Sequence, residues 1–321
     1  MVYYVWIDDH VAVSPMPSVN DIDDLSRVFG AVLILVEPHE YGGFLDIVIE
    51  RWMQHSVDVY YLPTPDFHPI QLLDLHRASE WVLSHAEKGV NVLIHCKGGV
   101  GRSGLAAAGY LLLKGMELYD AVQLVREKRP GALIEECQFR MAEDYAEALK
   151  HVGRDTLNAV IRVGQENGFG RGIKHASKSA QLSLELSLAF VPEHVKPIFI
   201  ASALHGIGWP EKPVYEYAAR AIVEEESLGS MRFIASRYLE EIASGEDLSP
   251  ETALVSLGHI LDETFDQRVH YLEIENYPGE TRIVLRNWLD AQRIVKDASV
   301  LTPKLEELTG KKVFFEERLY V

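Results

Sequence analysis

The segment that most constrains this chain runs from Val92 to Leu113. An apolar run, Val92-Leu93-Ile94, leads into His95-Cys96-Lys97-Gly98-Gly99-Val100-Gly101-Arg102-Ser103-Gly104, and the nearly all-apolar Leu105 to Leu113 follows. The run suits a buried strand and the later stretch a buried helix. A glycine-rich turn between the two leaves free backbone N–H groups at a helix N-terminus, where they bind anions and phosphate above all. A strand, loop and helix in that order suit an α/β architecture, and a central, mostly parallel sheet flanked by helices is expected.

Cys96 opens the loop. The positive end of the helix and the nearby Arg102 both favour thiolate over thiol, which makes Cys96 the expected nucleophile. Five residues separate Cys96 from Arg102, enough for the loop to fold back until sulfur and guanidinium face one tetrahedral group. Two N–H donors of Arg102 would then grip two oxygens. Gly98, Gly99 and Gly101 let the amides turn inward without an obstructing Cβ, and Lys97 and Val100 complete the phosphate-binding set.

His-Cys-five residues-Arg-Ser resembles the signature loop of the cysteine-dependent protein tyrosine phosphatases, in its dual-specificity form. The resemblance extends over about the first 150 residues. It takes in Ser14-Pro15-Met16-Pro17 and the Arg129-Pro130-Gly131 turn. It implies phosphomonoester hydrolysis through a phosphocysteine, with no metal and no cofactor. Asp66, thirty residues before Cys96 in the proline-rich loop Pro63 to Pro69, is the expected general acid. His68 in the same loop is a weaker alternative. Ser103 would hydrogen-bond the sulfur, His95 would hold loop carbonyls, and Gln138 would either orient the attacking water or face solvent. Cys137, after two glutamates, reads as an ordinary half-buried thiol, and Asp74 as a solvated carboxylate. Phosphotyrosine with phosphoserine and phosphothreonine leads as substrate. Inositol phosphates, nucleotides or polyphosphate are the alternative, and a phosphate-reading module without turnover is the alternative of another class.

Around this core, strands are expected at 1–7, 31–36 and 57–62, with helices at Val19 to Phe29 (capped by Ser18), 44–54, Leu72 to Lys88 and Leu118 to Arg126. Two cysteines in 321 residues speak against a disulfide framework. Met1 to Ile7 lacks the basic start of a signal peptide and no apolar run is long enough to span a membrane, so a cytoplasmic protein is expected. A formal net charge of -17 argues against nucleic acid or an anionic membrane as partner.

The length favours two domains: a phosphatase at 1–152, a helical linker at 153–172 ending in the glycine-rich Asn167 to Gly172, and a mainly helical domain at 173–321. Its helices are expected at His175 to Phe190, Pro197 to Leu204, Val214 to Glu225, Gly229 to Ala243 and Ser249 to Phe265. Three short strands follow, at 271–275, 281–285 and 313–317. In layout this half resembles the HD-like helical region of exopolyphosphatase and guanosine pentaphosphatase enzymes. His175, His205 and Asp262 fall where HD phosphohydrolases carry metal ligands. The naming His-Asp doublet reads His205-Gly206 here, so a binuclear site is not expected and helix packing is the simpler role for these histidines.

Overall fold

The computed structural model describes residues 3–210, 214–245 and 247–320. They form two compact units, Met1–Ala146 and Glu147–Val321.

In the first unit, five strands, β1 (Val5–Trp6), β2 (Val11–Ser14), β3 (Ala31–Ile34), β4 (Asp58–Tyr61) and β5 (Val92–His95), form one sheet in the order β1-β2-β5-β3-β4. Only β1 runs antiparallel to its neighbour; β2, β5, β3 and β4 are mutually parallel. The apolar strand read from the sequence is therefore the central one. Every residue of β2, β3 and β5 is buried, as a strand covered on both faces requires. Ser14 and Ile34 both pair with His95, so the chain leaving β5 emerges between the loops that follow β2 and β3.

Six helices accompany this sheet: α1 (Ile22–Leu25), α2 (Leu45–Gln54), α3 (Leu72–Ala86), α4 (Arg102–Leu113), α5 (Leu118–Lys128) and α6 (Glu136–His151), the last continuing past the division. Every residue of α4 from Arg102 to Leu112 is buried, which explains its nearly unbroken apolar sequence. Gly109 lets α4 approach α3 closely, since a Cβ there would lie 2.7 Å from Ser79 Oγ. Trp52 anchors a cluster with Ile22, Phe29, Val32 and Val48. The helix expected over Val19 to Phe29 is cut to a 3₁₀ turn, Val19–Asp21, and the single turn α1. Asp21 accepts from both Ser18 N–H and Ser18 Oγ, while Asp23 is drawn to Arg51 and His55, so these short acids serve local and tertiary partners instead of extending a helix. Asp74 is buried and paired with Arg77 at 3.1 Å, not solvated.

The second unit holds α7 (Arg154–Asn167), α8 (Ile173–Phe190), α9 (Val195–Leu204), α10 (Val214–Glu224), α11 (Met231–Ser244) and α12 (Pro250–Ile260). After them come β6 (Val269–Tyr277), β7 (Glu280–Asn287), α13 (Gln292–Ala298), α14 (Thr302–Thr309) and β8 (Lys312–Leu319). The segment read as a linker, 153–172, is packed rather than spanning: α7 buries Leu157, Val160 and Val163 and lies against α9. Strand β7 pairs antiparallel with β6 and parallel with β8. A parallel pair needs a crossover, and α13 with α14 supplies it, two short helices the apolar pattern did not announce.

Candidate active site

The loop after β5 is held from outside by its carbonyls. Leu35 N–H donates to His95 O and Met16 N–H to Lys97 O. Arg129 donates through Nε to Gly99 O and through Nη2 to Gly98 O, both at 2.9 Å. With these carbonyls engaged outward, the loop's amides are left to face inward. Gly99, at φ +71°, passes so close to the β2–α1 connection that a Cβ would sit 2.6 Å from Ser14 O. No side chain fits there.

Cys96 lies at the floor of the loop and is 2% exposed. Gly99 N–H donates to its sulfur at 3.2 Å, and Ser103 Oγ lies 3.3 Å away. Arg102, in the first turn of α4, is fully buried yet charged, and its donors show how. Nη1 donates to Glu40 Oε2 at 2.7 Å, to Thr64 O at 2.6 Å and to Leu35 O at 3.3 Å. Nη2 donates to Glu40 Oε1 and Asp66 Oδ1, both at 2.9 Å. Nε has no partner. Burial works against the charge, but Glu40 and the Cys96 and Asp66 charges outweigh it and raise the Arg102 pKa. Burial likewise works against ionised Glu40, and the guanidinium overrides it, holding that carboxyl below its ordinary value.

Glu40 was not among the expected site residues. It sits in the 3₁₀ turn Pro38–Tyr41, 62 residues before its partner, and only the pairing of β3 with β5 brings that turn to the loop. Asp66 is where the sequence placed it, on the loop between β4 and α3, half-exposed, with one oxygen on Arg102 Nη2 and Phe67 N–H. His68 Nδ1 is 3.0 Å from Asp66 O, so the ring is tied to its own loop.

Gln138 is not solvent-facing. It is 1% exposed, its Nε2 donates to His68 O, its amide rests against Gly101, and Oε1 has no partner while lining the pocket. Cys137 is buried rather than half-buried, its thiol directed at Phe67 O. His95 is fully enclosed, and burial pushes its pKa down to about 3. Its ring interacts with the Cys96 backbone, while Arg129 and backbone amides grip the other loop carbonyls. The pocket above Cys96 is a cavity of 270 Å³ bounded by Lys97, Val100, Arg102, Asp66, Phe67 and Ile134. Phe67 and Ile134 form an exposed apolar lip. A buried thiol, a fixed guanidinium and inward amides can together receive one phosphoryl group and stabilise charge on its equatorial oxygens.

Fold and pocket thus bring a buried cysteine and a buried arginine together at a strand–loop–helix junction suited to a phosphate. Residues 54–145 match the family described as dual specificity phosphatase, catalytic domain. The phosphatidylglycerophosphate phosphatase PTPMT2 of Arabidopsis thaliana is 28% identical over 157 residues, covering 48% of this chain and 67% of that protein. Protein tyrosine phosphatase type IVA 2 of Mus musculus is 39% identical over 70 residues, so that this chain spans 41% of its length and the match 22% of this chain. Among solved structures, the active form of Tk-PTP is 36% identical with a TM-score of 0.42, covering 45% of this chain and 96% of its own. The family match falls within the N-terminal unit, which over those residues is similar to cysteine-dependent phosphatases of the dual-specificity kind.

In the second unit, the two histidines read as helix-packing residues converge with a third. His175 at the start of α8, His205 just past α9 and His259 near the end of α12 turn their rings to one point, with Asp262 beside them. Burial and the neighbouring imidazoles hold His205 well below the usual histidine range, and burial takes His259 down to about 4. His259 had no signal in the sequence beyond its separation of three residues from Asp262. Among the described residues, no helix is long and apolar enough to cross a membrane.

Proposed function

We propose that the N-terminal unit hydrolyses phosphomonoesters through a phosphocysteine, with phosphotyrosine and phosphoserine or phosphothreonine of proteins as substrates. The observation that carries this reading is the Cys96 sulfur, held by Gly99 N–H and Ser103 at the floor of a pocket whose wall is the buried Arg102.

An incoming phosphate dianion takes Arg102 Nε, which is unpartnered, and competes for Nη2, where Asp66 now rests. Losing that hold lets the Asp66 carboxylate take up a proton from solvent, which it passes to the leaving oxygen while Cys96 attacks phosphorus in line. The leaving group departs with its proton, and a phosphorus–sulfur bond remains. Asp66, now ionised, draws a proton from water as that water attacks phosphorus, with Gln138 Oε1 directing it. Ser103 hydrogen-bonds the departing sulfur. Inorganic phosphate leaves and the thiolate is restored. Glu40 keeps the guanidinium planar to the pocket and does not touch substrate.

A second reading, a phosphate carried by a lipid or small molecule, draws on the apolar lip of Phe67 and Ile134, on Lys97 at the mouth, and on the activity named for the Arabidopsis relative. Turnover of p-nitrophenyl phosphate tests the shared chemistry. Cys96→Ser abolishes it and Asp66→Ala lowers kcat by roughly 10²–10⁴; a Cys96→Ser protein as active as the parent defeats it. Phosphopeptides against phosphatidylglycerophosphate, inositol phosphates and polyphosphate then separate the two readings by kcat/KM. A phosphate-reading module would bind these ligands without turning any over.

A further inference from the structure

Three imidazole nitrogens meet in the second unit. His175 Nε2 lies 3.2 Å from His205 Nε2 and 3.1 Å from His259 Nδ1, and the last two are 3.1 Å apart. Ordinary hydrogen bonding does not account for this triangle. His175 Nδ1–H donates to Asp262 Oδ2 at 2.8 Å, so its Nε2 is a lone pair, with Ser179 Oγ at the long distance of 3.5 Å. His205 Nδ1–H donates to Ser202 O at 2.6 Å, so its Nε2 is a lone pair as well. Two lone pairs therefore face each other across 3.2 Å, in rings 2% and 4% exposed. His259 has a single proton to offer, and the contact between the other two rings stays without one.

A cation at the centre removes the conflict. Zinc binds imidazole at about 2.0–2.1 Å in tetrahedral geometry, which sets ligand nitrogens about 3.3 Å apart. The observed triangle is within a few tenths of an ångström of that spacing. The ligands come from three helices packed on one another, α8, α9 and α12, so the core of the unit fixes their geometry. Asp262, which also accepts Gln267 N–H at 3.0 Å, orients His175 and makes its Nε2 a better donor.

We propose that His175, His205 and His259 form a mononuclear site for a divalent transition cation of the zinc class. The ligand set departs from the one the HD resemblance would transfer: His259 is a ligand it does not assign, and Asp262 stands behind His175 instead of on the metal. With three protein nitrogens, a fourth position is left for water.

Zinc alone is the probe, on the full chain. After purification without chelators, elemental analysis and competition against a chromophoric zinc chelator are expected to give one tightly held ion per chain. His259→Gln and His175→Gln should each weaken binding by at least about 100-fold, and Asp262→Asn by about 10–100-fold, as loss of an orienting partner does. Circular dichroism checks that the variants fold. Should they not fold, cobalt reconstitution of the parent decides alone. Intense visible d–d bands of a four-coordinate ion support the site; the faint bands of a six-coordinate ion overturn it. A parent that takes up no zinc at micromolar concentration, or a folded His259→Gln chain that binds as tightly as the parent, also overturns it.

Discussion

Glu40 offers the sharpest test of how the first unit holds its guanidinium. Glu40→Gln keeps the shape and one carbonyl oxygen but replaces the second acceptor with an NH2 that faces Arg102 donors. The pair is bidentate at 2.7 and 2.9 Å, and both side chains are almost wholly enclosed, 1% and 2% exposed. A hydrogen bond to a charged group contributes about 1.5–3 kcal/mol. Thr64 O, Leu35 O and Asp66 still hold the arginine, so one such bond is the expected loss, not the larger penalty of a fully orphaned buried charge. If that loss falls on transition-state binding, kcat/KM for p-nitrophenyl phosphate drops by roughly 10- to 150-fold, since about 1.4 kcal/mol is tenfold. Stability should change in a pH-dependent way too. The Glu40 carboxyl titrates below its ordinary 4.5 in the folded chain. Its contribution is thus complete above that value and fades as pH falls through the lower, folded one. Parent and variant should differ in thermal midpoint at neutral pH and converge under acid. A Glu40→Gln protein within twofold of the parent in kcat/KM, with an unchanged midpoint from neutral to acid pH, refutes the assignment.

Ser103→Ala should slow breakdown of the phosphocysteine, so that rapid mixing shows a burst of nitrophenolate and a steady-state kcat lowered about 10- to 100-fold, given that a bond to an ionised sulfur is among the stronger kind. Gln138→Leu should likewise expose a burst if its unpartnered Oε1 directs water; an unchanged ratio of burst to steady rate counts against that role. Gly99→Ala should destroy activity while circular dichroism stays helical, because the added Cβ would lie 2.6 Å from Ser14 O and displace the loop but not the sheet.

What the sequence disclosed follows the range of the interactions involved. The loop from Cys96 to Ser103 is local: strand, glycines, arginine and helix are contiguous, and the structure assembles them as the spacing implies. Asp66 was legible because it lies on the proline-rich loop that follows a strand. Glu40 was not, since a glutamate in a 3₁₀ turn bears no mark until β3 and β5 pair. The same holds for His259, whose meaning depends on the crossing of α8, α9 and α12. The shortened helix over Val19 to Phe29 carries Asp21 bound to Ser18 and Asp23 bound to Arg51 and His55, contacts that apolar spacing does not reveal. Helix α7 reads as a linker from the glycines that follow it, and its buried face becomes visible only where it packs on α9.

The carboxylate of Asp66 resting on Arg102 Nη2 has a consequence for the end of the catalytic cycle. Once it has released the proton taken from water, it is a tethered competitor for the same donor that inorganic phosphate would occupy, held at high local concentration. In the proposed cycle product would then meet a rival that never diffuses away, and the pocket should empty faster than one lined by a free guanidinium. Removing that rival should leave an enzyme that is slower in chemistry and more easily clogged by its own phosphate.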